Sequence, residues 1–177
     1  MKKFFLLTAV LLCLFSCSTS ESDDEKEPTP EFAMTAEING ELFQANTPFG
    51  DNEFSDYTIW NRYPTEEYIL LQARKGYEWD TLTEINIWLK KSDIAVGTYA
   101  IGKETFEEKP SHYIGFVHPS SEDPTDTKEG TIVITDVNTS AKTVQGTFEF
   151  TTVAELYDDS ATPNYTITNG KFYYTYE

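Results

Sequence analysis

The chain has 177 residues, room for one compact domain and too few for two ordinary ones. Thirty Asp and Glu against thirteen Lys and Arg leave a formal charge of −17. That excludes nucleic acid as a partner, because phosphate binding draws on counterion release by cations, and it disfavours contact with anionic lipid. A hydrophobic content of 39% with 15% aromatics also excludes a disordered polyacid.

The first element is a leader. Met1-Lys2-Lys3 precedes an almost wholly apolar run from Phe4 to Phe15, the basic start and short hydrophobic stretch of a secretory signal. A membrane-spanning helix would need about twenty such residues. Leu14-Phe15-Ser16-Cys17 resembles a bacterial lipobox, with small Ser16 before the cysteine and a bulkier Phe15 than the usual pattern. Residues 1–16 therefore read as a lipoprotein signal peptide and Cys17 as the lipidated residue, an ordinary secreted protein being the alternative. Cys13 leaves with the signal, so Cys17 is the sole cysteine of the mature chain and no disulfide can form within it. Two or three acyl chains there would hold the protein durably at a membrane. After Cys17, residues 18–31 carry mainly acids, serines and two prolines with no other apolar residue, so that 17–31 reads as the lipidated cysteine and an extended acidic tether.

From Phe32 to Glu177 the pattern is β. Met34, Ala36 and Ile38 alternate with polar residues, and Asn39-Gly40 predicts a tight hairpin that sets Phe43 opposite Ala36 and Ala45 opposite Met34. Further strands are expected at 67–73, 81–90, 94–101, 112–118, 131–137 and 143–153. A second Asn-Gly, Asn169-Gly170, predicts a closing hairpin with Phe172 opposite Ile167 and Tyr174 opposite Tyr165. About nine strands result. Their half-apolar alternation predicts antiparallel sheets that each show one face to water, hence an all-β sandwich, or else a closed or partly open barrel. Function is expected in the long loops 46–56, 102–111, 119–129 and 154–163.

Signatures of known chemistry are absent: no G-x-S-x-G, H-E-x-x-H, phosphate-cradling glycine loop or C-x-x-C occurs. The two histidines, His112 and His118, fall six residues apart on one predicted strand, about 20 Å at roughly 3.3 Å per residue. They cannot share one metal ion, and no catalytic residue is assigned. Carboxylate chemistry on sugars needs only two acids across a cleft, and Glu84 and Glu149 are typical candidates. Glu122-Asp123-Pro124-Thr125-Asp126 offers the hard oxygen ligands of calcium, with Asp123 and Asp126 as the candidates, although its spacing matches no EF-hand loop. Trp60, Tyr63, Tyr77, Trp79 and Trp88 lie among polar residues and could form a platform for a sugar or peptide. The competing reading has them lining the second sheet of a sandwich.

Several stretches, in this order, resemble a set of Bacteroidetes lipoproteins carrying a β-rich domain of unknown function. They are Ala36-Glu37-Ile38-Asn39-Gly40 with Phe43 and Ala45, Gly97-Thr98-Tyr99, Gly130 to Thr135, Val144 to Phe150, and Ile167 to Phe172. The resemblance covers most of residues 32–177 and implies a surface or periplasmic lipoprotein with no assigned activity. Ser22-Asp23-Asp24-Glu25 resembles the signal that sends such lipoproteins to the outer face of the cell; solvated linker charge is the plain alternative. Asp80-Thr81-Leu82 and Asp159-Ser160-Ala161 resemble the O-glycosylation motif of exported Bacteroidetes proteins, with Thr81 and Ser160 as acceptors. The whole reads as an outer-membrane, lipid-anchored, non-enzymatic module that binds a glycan or protein. The alternatives are a carboxylate-dependent carbohydrate hydrolase and a structural or assembly component.

Overall fold

In the computed structural model, which describes residues 30–45, 67–76, 78, 80–102, 111–119, 126–154, 158 and 160–176, Asn39 and Gly40 both take left-handed backbone, φ 49° and 85°. Two successive positive φ values make the type I′ turn whose twist matches paired strands. β1 (Met34–Ile38) and β2 (Glu41–Ala45) pair across it in the expected register, Met34 opposite Ala45 and Ala36 opposite Phe43. Asn39 also ties the turn to the start of a distant strand. Its Oδ1 accepts from the Thr166 amide at 2.8 Å, and its own amide donates to the Thr166 carbonyl at 2.9 Å.

The other strands are β3 (Tyr68–Lys75), β4 (Thr83–Lys90), β5 (Gly97–Gly102), β6 (His112–Val117), β7 (Asp126–Asn138), β8 (Thr143–Val153) and β9 (Tyr165–Thr175). They form two antiparallel sheets, a large one ordered β2-β1-β9-β8-β7-β5 and a small one ordered β3-β4-β6, not closed into a barrel. The chain passes between sheets four times, after β2, β4, β5 and β6.

Three expectations need correction. Asn169-Gly170 is no hairpin. Only Asn169 is left-handed, φ 53°, and one positive φ before a glycine makes a bulge rather than a reversal. β9 runs straight through, with three steps from Ile167 to Gly170 against two from Phe150 to Phe148, and with the same shift against β1. Second, β7 begins at Asp126, inside the expected loop 119–129. Two bulges, at Thr127/Glu129 and Ile134/Asp136, break its alternation and hide it from a period-two reading. Third, only the large sheet shows a face to water. β4 is buried without interruption from Glu84 to Leu89, because the small sheet is covered on both sides.

Inward residues of both sheets meet in one core that includes Met34, Phe43, Leu71, Ile87, Ile114, Ile132, Phe148, Phe150, Ile167 and Phe172. Phenylalanine rings there lie directly on glycines of the neighbouring strand. A Cβ on Gly146 would come within 2.7 Å of the Phe172 ring and 2.1 Å of the Val133 carbonyl oxygen, and one on Gly170 within 2.6 Å of the Phe148 ring. Two hydroxyls of the large sheet fasten the outer strands of the small one. Tyr174 of β9 donates to the Gln72 carbonyl of β3 at 2.7 Å, and Thr127 of β7 to the Ile114 carbonyl of β6 at 2.5 Å. Both side chains are buried, and burial pushes the Tyr174 phenol upward. Tyr174→Phe should therefore cost about 1 kcal/mol by leaving a partly buried carbonyl without its donor; an unchanged urea midpoint would contradict this.

Candidate functional site

The face of the large sheet turned away from the core is the open surface. Its bulge-corrected register sets the outward side chains in rows: Thr35, Lys171, Thr147, Val133 and Thr98 across β1, β9, β8, β7 and β5. A second row holds Glu37 beside Thr168, and Glu149 beside Thr131. A third holds Thr166, Thr151 and Glu129. β-branched threonine suits such a pleated, half-buried surface; the Thr151 hydroxyl is itself buried.

Three adjoining depressions of about 390, 400 and 350 Å³ run along this face. Lys171 and Thr147 line two of them, and Thr131 and Glu149 are shared by another two. The ion pair between described residues is Arg74–Glu84, on the other sheet; the exposed Lys171 ammonium makes none with a described residue. The trough thus presents hydroxyls, carboxylates and one central cation, all hydrogen-bonding groups held by a rigid sheet. The sequence reading looked to loops and missed it. A period-two count of threonines in β8 and β9 carried the signal, but the bulge shifts the phase of β9 halfway.

The expected site residues fall elsewhere. Trp60, Tyr63, Tyr77, Trp79 and Asp123 lie outside the described residues. Trp88 takes the sheet-lining reading. It lies outside the main core and is 1% exposed, in a cluster with Tyr68, Leu70 and Tyr113. Four residues earlier on the same strand Glu84, 5% exposed, accepts from Arg74 at 2.6 Å and from Asn86 at 2.5 Å. This buried polar set grows from a cross-strand pair, Arg74 opposite Glu84. Glu149 stands exposed on the outer face of the large sheet, so the two candidate acids sit on different sheets and share no cleft. Asp126 is partly buried, which pushes its carboxyl upward. No group of three or more metal-ligating side chains exists among the described residues. Thr81 and Ser160 are exposed, their hydroxyls donating to the Glu78 carbonyl at 3.0 Å and to Asp158 Oδ1 at 2.6 Å.

The histidines keep separate company. His118 bonds the Tyr165 hydroxyl through Nδ1 at 3.1 Å. His112 is 2% exposed, and its Nδ1 accepts the Lys90 amide at 3.3 Å. The proton of the neutral ring then sits on Nε2, which has no hydrogen-bond partner among the described residues, and Tyr99 meets the ring edge-on at 4.3 Å. Ser111 and Asp93 lie close by, but Ser111 donates to Asp93 at 2.7 Å, which is not the order of a nucleophilic triad. Hydroxyl bonds from Ser92, at 2.7 Å, and from Ser111 hold the Asp93 carboxyl below its usual range.

Burial lowers the His112 pKa below its ordinary 6.5, and His118 moves the same way. The unfolded chain then takes up protons more readily than the folded one as pH falls below 6.5, so the contribution to stability is complete above that pH and is lost on acidification. Urea unfolding across pH 7.5 to 5 should show falling stability, with a shallower slope in His112→Gln; equal slopes would contradict the assignment.

No curated protein and no solved structure matches this chain. Residues 30–175, nearly the whole of the β-rich part, match the family described as Domain of unknown function (DUF6252), and the chain belongs to that family.

Proposed function

We propose that this protein is a lipid-anchored, non-enzymatic binding module of the bacterial outer membrane. Cys17 carries the lipid, residues 17–31 hold the domain off the bilayer, and the outer face of the six-stranded sheet takes a polar ligand, a glycan or an extended protein segment. The observation that carries the reading is the open trough with Lys171 at the junction of two depressions. Its hydroxyls and carboxylates can bond sugar hydroxyls or peptide groups, and its one ammonium fixes orientation. A non-enzymatic role is supported by the arrangement of Glu84, tied to Arg74 and Asn86, and Glu149 on the other sheet. The chain's excess of acidic over basic residues suits a soluble head whose membrane attachment comes from lipid rather than from its surface.

Two substitutions test the site. Lys171→Glu and Thr147→Arg alter only exposed side chains, so stability should shift by no more than about 0.5 kcal/mol. Binding to the neutral and acidic oligosaccharides or peptides that the native chain retains on an array should fall at least tenfold. Unaltered binding would remove the trough from the account. For the anchor, Cys17→Ala should release the chain from the membrane fraction, and retention there would refute lipidation at this residue.

A further inference from the structure

Among the described residues four strand edges bound the two sheets: β2 and β5 on the large one, β3 and β6 on the small one. An open edge offers unpaired amides and carbonyls to any other strand, and folded proteins blunt it with charge, proline or a covering side chain. Tyr174 caps β3 at the Gln72 carbonyl, and that strand ends in Arg74 and Lys75. Thr127 caps β6 at the Ile114 carbonyl. β2 opens with exposed Glu41.

β5 carries none of these devices. From Ile94 to Gly102 the sequence has neither a charged residue nor a proline, and no described side chain bonds the β5 backbone. Its outward residues Thr98, Ala100 and Gly102 are exposed. Just before them, Val96 is 66% exposed, one of two large hydrophobic residues in the described set that lie so open. An edge without charge or proline lacks the features that keep another strand off, and Thr98, Tyr99 and Ile101 are the β-favouring residues in it.

We propose that β5 pairs with β5 of a second copy of this chain, antiparallel, about a two-fold axis through Tyr99. The strand is complementary to itself in that register. Tyr99 meets Tyr99 of the second copy on the core side, each ring lying over its own Gly97. Thr98 faces the second copy's Ala100 on the outer side, and Val96 faces Gly102, which has no side chain to oppose it. The two large sheets become one continuous sheet with the two troughs on it, and the uncapped edge is closed. A contact this short buries less than a standard interface, so the dimer is weak. Two bodies of net charge −17 repel each other, so salt strengthens the pairing by screening. The inference is independent of what the trough binds.

The test is sedimentation velocity of the full chain in nonionic detergent, from micromolar to near-millimolar protein at low and high salt. The mass should rise towards that of two copies with concentration, and more so at high salt. The double variant Thr98→Lys, Ala100→Lys sets lysine against lysine at both outer positions and should stay monomeric. Mixed in equal amounts with Thr98→Glu, Ala100→Glu, it should form the dimer again, which a merely misfolded variant could not do. A native chain that remains monomeric throughout, or a lysine variant that associates like the native chain, would overturn the proposal.

Discussion

One extra residue in β9 sets which side chains this protein buries. In a regular strand Ile167 and Phe172, five positions apart, would face opposite ways. The left-handed Asn169 and the bulge it opens, seen from both β1 and β8, turn the second half of the strand over. Ile167, Phe172 and Tyr174 then all enter the core, and Lys171 stays outside. With the other phase, two aromatics worth about 1.5–3 kcal/mol each in burial would face water. An ammonium would also enter the apolar interior, where an unpaired charge is far more costly than a misplaced apolar group.

Much follows from that phase. Tyr174 can reach the Gln72 carbonyl and hold the small sheet only because it points inward. Phe172 can lie on Gly146, and Phe148 on Gly170, only where both rings and both glycines share the inner side. On the other surface the same phase lines up Thr35, Lys171 and Thr147 in one row. Core and trough are therefore two sides of a single choice of register. The small sheet plays a different part: buried on both faces, with the Arg74–Glu84 pair on the side away from the main core, it is the rigid wall against which the large sheet packs.

The sequence was most readable where local pattern and tertiary structure agree. Alternation in Met34 to Ile38, the turn demand of Asn39-Gly40 and the runs at Ile85 to Leu89 and Val144 to Phe150 all concern neighbours along the chain. It misled where the decisive partner is remote. Asn169-Gly170 satisfies a hairpin locally, and only pairing with β1 and β8 together makes it a bulge. β7 extends through charged and polar residues because its bulges are absorbed by β8, which no reading of β7 alone reveals. Trp88 between Asn86 and Lys90 reads as a surface residue, yet the second cover on the small sheet buries it. The candidate trough was hidden for a related cause: it belongs to a sheet face assembled from five strands, whereas motif reading favours single loops.

The dependence on phase can be read directly from cooperative urea unfolding of two deletion variants measured side by side. Removing Asn169 alone takes away the extra residue and leaves Phe172 and Tyr174 in phase with Ile167. Removing Thr168 and Asn169 together keeps Gly170 but turns both aromatics outward. The account predicts a cooperative transition with buried tyrosine for the single deletion and loss of cooperative folding for the double. A double deletion that folds while the single one does not would contradict it.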